Sequence, residues 1–565
     1  LVKIGIIGRG KLELKTIQTI TTDVLVIGGG GAGLRAAIEA RKYGLDVVLV
    51  SESPVGFKNN TAISGAAFAA SGIRKEPGDS PDVHIKDTMN AGRFINDRRL
   101  VAALARGATQ QVYDLIKFGV NFKRDDGELF VMQAPGHTYP RAVATEIFVG
   151  HHITRPMRQY AASAGIQFME GIPITKLLRV GDTVVGALGI GDKGQVFVFN
   201  AKSTILATGG AGGLYLRTDN AVGLNGIGYA LAYEVGATLR DMEFVQYYAT
   251  AWGKHGRKIY DYETLVPRGA TIRNSLGEDI LKRRGMGDFS LVTRDIMARV
   301  IMEEIVEGRG IEGNVIIDFT TIPQDKVPEL YGCGLVSKGG GYPEKVQVAP
   351  TVHFFMGGIE INESSETGID GLYAAGEVCG GIHGANRLGN NAITEILVFG
   401  TIAGDKAATR ASKMNRIPAS QSKVAAEVER LIELASGRNH ENLEQLQWSL
   451  KQTMWDKVGV IRNKKSLEDA QREILTLREQ LGTVSLTDYR QLSQAVKLAN
   501  MLTVSEMICS AALTRTESRG AHYRTDYPEE NNKQWLKNIE ISSKNRHMTL
   551  KVIPVQGAEG YRKLG

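Results

Sequence analysis

The sequence predicts an α/β fold: a Rossmann-like dinucleotide-binding domain, an inserted α+β domain and a helical domain towards the C-terminus. Three observations predict it. The stretch Asp23–Glu52, DVLVIGGGGAGLRAAIEARKYGLDVVLVSE, reads as strand, glycine turn, helix, strand. Its glycine-rich texture returns at Gly357–Gly404, after a segment from Asp241 to about Pro350 that is dense in aromatics (Phe244, Tyr247, Tyr248, Trp252, Tyr260, Tyr262). Long amphipathic patterns with few glycines then fill Ser420–Thr514.

Leu1–Thr22 alternates loosely, as an N-terminal hairpin or edge strand would, and the early Gly8-Arg9-Gly10 lacks a following helix pattern and reads as a turn. Val24–Ile27 is wholly apolar, as a strand buried on both faces requires. The G-x-G-x-x-G that follows assigns a task to each glycine. Gly28 permits the tight turn, Gly30 lets backbone approach a pyrophosphate, and Gly33 lets helix close on strand. The helix N-terminus offers that phosphate unpaired N–H groups and a positive dipole end. Gly44 stops the helix, and Val47–Val50 is a second buried strand. Ser51 and Glu52 then stand where a polar side chain meets an adenosine ribose. Asn59–Ala67, with Asn60 and Thr61, is a small-residue loop suited to close approach by a flat ligand.

Further on, Asp97–Phe118 and Thr145–Gly165 read as amphipathic helices. Ile166–Glu170, Ile172–Val180, Val184–Gly191 and Val196–Ala201 read as strands of a meander, and Ser203–Gly210 as another buried strand ending in glycines. Ala221–Gly236 is a helix, and Leu291–Glu307 a helix interrupting the strands of the inserted domain. Ser420–Gly437, Glu441–Leu481 and Thr487–Thr514 are long helices. Glu517, Arg519, His522 and Arg524 read as an ion-pair knot that docks them, and Ser542–Lys551 as a basic surface extension.

The composition, 43% hydrophobic and 23% charged over 565 residues, is that of a globular protein with a sizeable core. The net charge of +7 is spread along the chain without blocks, so it predicts general surface charge and no nucleic-acid partner. Cys333, Cys379 and Cys509 have neither disulfide, zinc nor iron–sulfur spacing, which fits a reducing, cytoplasmic compartment. No apolar run reaches the length of a membrane span and the N-terminal residues do not read as a secretory signal, so any membrane link is expected through a partner.

Four segments together carry a resemblance: ILATGG at Ile205–Gly210, APTVHFFMGGI at Ala349–Ile359, GLYAAGEVCGGIHGANRLGNNAITEILVFG at Gly371–Gly400 and ESRGAHYRTDYP at Glu517–Pro528. In order and spacing the chain, from about residue 20 to 530, resembles the flavoprotein subunits of fumarate reductase and succinate dehydrogenase, a family that also includes L-aspartate oxidase and adenylylsulfate reductase α subunits. The resemblance implies FAD and five segments: an FAD-binding domain in two parts, 1–240 and 351–410, a capping domain at 241–350, a helical domain at 411–535 and a C-terminal extension at 536–565. It places Gly28, Gly30, Gly33, Ser51, Thr208, Gly209, Gly376 and Glu377 along the cofactor, and Asn391, Ala392 and Ile393 at the helix start facing the flavin. A helix N-terminus there stabilises an anionic reduced flavin.

For the chemistry, the resemblance makes Arg294, in VTRDIMAR, the proton donor, and His353 and Arg387 the grips on a substrate carboxylate. By spacing alone Arg294 is a helix-surface arginine paired with Glu303 or Asp295. Four departures from the family pattern bear on substrate. Asn60 stands where members with covalent flavin carry histidine, so FAD is expected to be noncovalent. Tyr248 replaces a substrate histidine. Thr264 and Arg268 are kept in the family's T-E-G-x-R-G stretch, but Leu265 replaces the glutamate that feeds protons to the arginine. Ile227 replaces an aspartate. The expected function is therefore an FAD-dependent oxidoreductase acting on a C–C/C=C bond of a carboxylate other than plain fumarate or succinate, served by an iron–sulfur electron-transfer subunit. The alternatives are an adenylylsulfate-reductase-like protein, or a flavin electron-transfer subunit without its own substrate.

Overall fold

The computed structural model describes residues 16–74, 77–287, 289, 292–327, 343–437, 442–544 and 547–555. Gly8–Gly10 and Cys333 lie outside them. Strand β1 (Thr16–Ile27) runs into the glycine turn and helix α1 (Gly31–Arg41), which returns to β2 (Val47–Ser51). The small-residue loop holds the short helix α2 (Asn60–Ile63); α3 (Pro81–Ala91), α4 (Arg98–Lys117) and α5 (His151–Ser163) follow. Helix α5 begins six residues later than the sequence pattern predicts, because Thr145 still pairs with Phe122 in a β-bridge.

Strand β3 (Gln167–Glu170) is not part of the meander expected from the sequence. It lies parallel to β2 at the sheet edge, with Val48 opposite Gln167. Strands β4 (Ile174–Val180) and β5 (Thr183–Ile190) do form an antiparallel pair, leading into β6 (Gln195–Leu206). The two strands expected at Val196–Ala201 and Ser203–Gly210 are this one strand. Its first half pairs with β5 and Thr16–Thr22; its second half pairs with Val24–Ile27, which are almost fully buried. Thr16–Thr22 is thus an extension of β1 rather than a hairpin.

After helix α6 (Ile227–Glu234) and strand β7 (Leu239–Arg240), the chain leaves for the inserted domain. There β8 (Val245–Trp252), β9 (Lys258–Ile259), β10 (Thr271–Arg273), β11 (Val315–Asp318) and β12 (Lys345–Phe355) form an antiparallel sheet in the order β9-β8-β12-β11-β10. Helix α7 (Arg294–Glu304), between β10 and β11, packs on β8. The chain returns through β13 (Gly358–Ile359) and β14 (Leu372–Ala374), the latter parallel to β6, to the 23-residue helix α8 (Asn391–Lys413), which packs on α1.

Helices α9 (Gln421–Ala435), α10 (Leu443–Lys457), α11 (Lys464–Leu481) and α12 (Tyr489–Thr514) form the helical region. The single helix expected at Glu441–Leu481 is two, broken at Val458–Asn463. By length and composition α12 could cross a membrane, but it is largely buried against α9, α10, α11 and α6. The surface stretch expected at Ser542–Lys551 is half-buried or exposed where described, and it forms the tip of a hairpin, β15 (Lys537–Lys544) and β16 (His547–Pro554). Strand β15 pairs with β7 and buries Ile539 and Ile541.

Candidate active site

One cavity of about 640 Å³ runs from the glycine turn to the inserted domain. At its first end Gly28 has φ +122°, and a Cβ there would lie 2.1 Å from the Ala207 carbonyl oxygen. A Cβ on Gly33 would lie 1.8 Å from the Gly28 oxygen, so this glycine lets helix α1 close on its own turn. Gly30 differs: its nearest neighbour would be Asn59 at 3.8 Å, which leaves its open face towards the cavity. Ser51, Glu52, Asn60, Thr61, Thr208 and Gly209 also line the cavity. Glu52 is paired with Lys497 of α12, and Ser51 crowds Gly29.

Further in, Glu377 is buried, accepting hydrogen bonds from Phe355 N (3.1 Å) and Asn60 Nδ2 (3.2 Å). Burial raises its carboxyl to about 7. Asn60 is spent on Glu377 and on the Ala221 amide, whose N–H its Oδ1 accepts at 2.9 Å. Ala392 and Ile393 line the cavity at the start of α8, whose preceding Asn390 has φ +62° and makes no side-chain cap bond. Asn391 is turned away: its side chain bonds His84 and Thr88 of α3 at 2.8 and 2.9 Å. Gly376 and Gly33 lie off the wall as packing positions; a Cβ on Gly376 would meet Ala32 at 2.9 Å. An elongated cavity with an open glycine turn and two helix N-termini fits a dinucleotide such as FAD.

At the second end Tyr248, Asp261, Arg294, His353 and Arg387 share the wall. Arg294 does not pair with Glu303 or Asp295. Its Nε and Nη2 donate to Glu263 at 3.1 and 2.9 Å, so the carboxylate that the family pattern puts at Leu265 stands two residues earlier. Burial disfavours the Arg294 charge, but Glu263 more than offsets it and holds the guanidinium above its ordinary range. His353 Nδ1 lies 2.6 Å from Asp219 Oδ2; burial nevertheless lowers its pKa, favouring neutral imidazole. Arg387 makes a 3.4 Å bond to the Leu388 carbonyl and stacks on Phe354, while its Nε has no partner. Burial, then repulsion from Arg294, lowers it to about 9. Tyr248 donates to Asp261 Oδ1 at 3.0 Å and lies under the Arg294 guanidinium.

Thr264 and Arg268 are not on the cavity wall. Thr264 Oγ1 donates to Asp261 Oδ2 at 2.7 Å, and Arg268 Nη1 to the Thr264 carbonyl at 2.9 Å, so they brace the loop instead of facing a substrate. Asp219, Asp261 and Glu263 escaped the sequence reading. They reach their partners across loops, and only the acidic spacing D-x-E at Asp261–Glu263 was there to notice.

A dinucleotide cavity that ends among buried arginines defines the chain as a flavoprotein oxidoreductase. Residues 23–393 match the FAD binding domain family and residues 447–560 the fumarate reductase flavoprotein C-terminal family. The chain is 37% identical over 540 residues to a fumarate reductase (CoM/CoB) subunit of Methanothermobacter marburgensis, covering 92% of this chain and 97% of that one. It is 31% identical over 559 residues to the 8-methylmenaquinol:fumarate reductase flavoprotein subunit of Wolinella succinogenes, covering 94% and 90%. A solved E. coli quinol fumarate reductase chain superposes with a TM-score of 0.88 at 28% identity, covering 95% and 97%. Adenylylsulfate reductase of Archaeoglobus fulgidus, at 21% identity and a TM-score of 0.77, covering 95% and 96%, shares the fold. The chain belongs to the fumarate reductase/succinate dehydrogenase flavoprotein subunit family, FAD-dependent oxidoreductases acting on CH–CH groups.

Proposed function

We propose that this protein moves a hydride between flavin N5 and a C–C/C=C bond of a carboxylate other than plain fumarate or succinate. The observation that carries the reading is Arg387, a buried guanidinium on the cavity wall whose Nε lacks a partner. Such a group favours a bound carboxylate that takes its free donors. FAD, when bound, supplies the two-electron chemistry.

The remaining tasks fall to the chain. Arg387 and His353 hold the carboxylate and draw charge from the adjoining double bond, with Asp219 fixing the imidazole. Arg294 gives or takes a proton at the other carbon, and the Glu263 carboxylate takes a proton from water and passes it on to Arg294 through the bidentate contact. Tyr248, in place of the family's histidine, and the apolar Ile227 make the rest of the wall a poorer host for a second carboxylate. Asn60, an amide already bonded on both sides, offers no imidazole for a covalent link, so the flavin is held noncovalently through Gly28–Gly31, Ser51, Thr208–Gly209, Glu377 and the start of α8.

On this reading the protein is cytoplasmic and trades electrons with an iron–sulfur partner, through which any membrane link runs. The test is anaerobic. FAD-loaded protein is reduced with dithionite and mixed with unsaturated mono- and dicarboxylates while flavin absorbance is followed. Reoxidation by at least one of them that is lost in Arg294→Gln supports the reading. No reoxidation by any, or an unchanged rate in the variant, overturns it. Acid precipitation that leaves flavin in the pellet overturns the noncovalent assignment.

A further inference from the structure

The reacting end of the cavity holds one acid, Asp261, that the proposed reaction leaves unused. Arg294 is matched by Glu263 at 2.9 Å. His353, kept neutral by burial, is hydrogen-bonded to Asp219 at 2.6 Å. At this end the buried cation Arg387 has no carboxylate in ion-pair reach, and the half-buried acid Asp261 has no lysine, arginine or histidine in ion-pair reach, among the described residues.

Asp261 is held rigidly. Tyr248 Oη donates to its Oδ1 at 3.0 Å and Thr264 Oγ1 to its Oδ2 at 2.7 Å, while the Tyr248 ring packs against His353 with centroids 5.4 Å apart. This fixes the acid on Tyr248, whose ring also touches the His353 grip. Each oxygen accepts one bond and retains a lone pair for a ligand. Arg257 also reaches the wall, but it is exposed, so water already serves it.

We infer that the substrate is an α,β-unsaturated monocarboxylate whose far end presents a hydrogen-bond donor to Asp261, and that Asp261 is the residue that rejects dicarboxylates. The inference rests on the proposed reaction at this site. A ligand with one carboxylate at Arg387 and a donor such as a carboxamide at Asp261 satisfies both unmatched groups. Fumarate would set a second carboxylate against a fixed acid. The transformation itself is unaltered: one carbon of the double bond receives a hydride, the other a proton, and the far group is recognised without changing.

The trans mono-amide of fumarate differs from fumarate only in bearing –NH₂ where the dianion bears O⁻, and it serves as the probe. FAD-loaded protein reduced with dithionite is mixed with equal concentrations of each. The mono-amide is expected to reoxidise the flavin at least about tenfold faster, and Asp261→Asn to cut that ratio by about tenfold or more, chiefly by raising the fumarate rate. Fumarate reacting as fast as the mono-amide in the native protein, or a ratio unchanged in Asp261→Asn, overturns the inference while leaving the proposed reaction standing. If neither compound reacts, the wider panel of unsaturated carboxylates decides the proposed reaction, and binding to the oxidised protein decides the inference. Succinamate perturbing the flavin spectrum at about tenfold lower concentration than succinate supports it, and equal or weaker binding overturns it. The native protein alone decides between these outcomes if Asp261→Asn does not fold.

Discussion

At the scale of single residues, the site is a set of buried charges of which only some are matched. Arg294 and Glu263 share a bidentate contact in which each partner favours the other's charged form: Arg294 is held above its ordinary range, and Glu263, against the upward push of burial, below its own. An arginine acid works only if its proton is replaced at once, so Glu263→Gln should slow flavin reoxidation by substrate by about 10²–10⁴-fold while leaving the flavin absorbance spectrum intact. Stopped-flow reoxidation measures the first and the visible spectrum the second. Glu377 makes a different prediction. Its folded pKa of about 7 lies above the 4.5 of an unperturbed glutamate. The folded state therefore holds its proton more tightly than the unfolded state, and this group's contribution is most favourable below about pH 4.5. It declines as pH rises to about 7 and is flat beyond, a loss of about 3 kcal/mol over that window. In FAD-free protein Glu377→Gln should melt higher than native at pH 8, the gap closing towards pH 5. A gap that widens on acidification would contradict this sign.

At the scale of elements, the glycine turn separates two roles that the G-x-G-x-x-G pattern joins. Gly33→Ala puts a methyl 1.8 Å from the Gly28 oxygen, a backbone clash with nowhere to go, so it should lower the melting temperature of FAD-free protein. Gly30→Ala meets nothing closer than 3.8 Å, so FAD-free protein should melt as native does, yet the methyl points into the cavity and should weaken FAD binding by about tenfold or more. Thermal melts and FAD titration of the two variants check both halves. This turn was legible in the sequence because its information is local: every contact that defines it lies within one strand and one helix. The partner of Arg294 was not, because Glu263 arrives on a one-turn helix, Tyr262–Leu265, between β9 and β10, and placing the family pattern on Thr264–Gly269 counts that segment two residues short. The break between α10 and α11 was also hidden. The apolar periodicity of Glu441–Leu481 continues through Val458–Asn463, but Arg462 there is buried against His522 and the Glu243 carbonyl, and those long-range bonds hold the chain out of helix.

At the scale of the whole molecule, the helical region is held to the rest by a buried ionic knot centred on Glu243, at the point where the chain passes from β7 into the inserted domain. Arg515, at the end of α12, donates to the Glu243 carboxylate at 2.6 Å, to Glu517 at 3.0 Å and to the carbonyls of Trp535 and Lys537. Arg462 donates to the Glu243 carbonyl at 2.7 Å. Arg519 binds the other side of Glu517, as the sequence reading of a docking knot requires. All three ionic groups at the centre are essentially inaccessible, so removing one strands its partner in a medium that cannot solvate it, at a cost of about 3–5 kcal/mol. Arg515→Met should therefore lower the melting temperature and expose the chain after α12 to trypsin. Glu243→Gln should cost less, because the amide oxygen still accepts from Arg515 and the Glu517 carboxylate still balances that arginine. Combining the two should cost less than their sum, since the charge stranded by the first change is removed by the second. A double-mutant cycle read by thermal melts and trypsin digestion tests this. Strict additivity would mean that the helices are held by apolar packing alone, and that the knot merely fills space between domains that would dock without it.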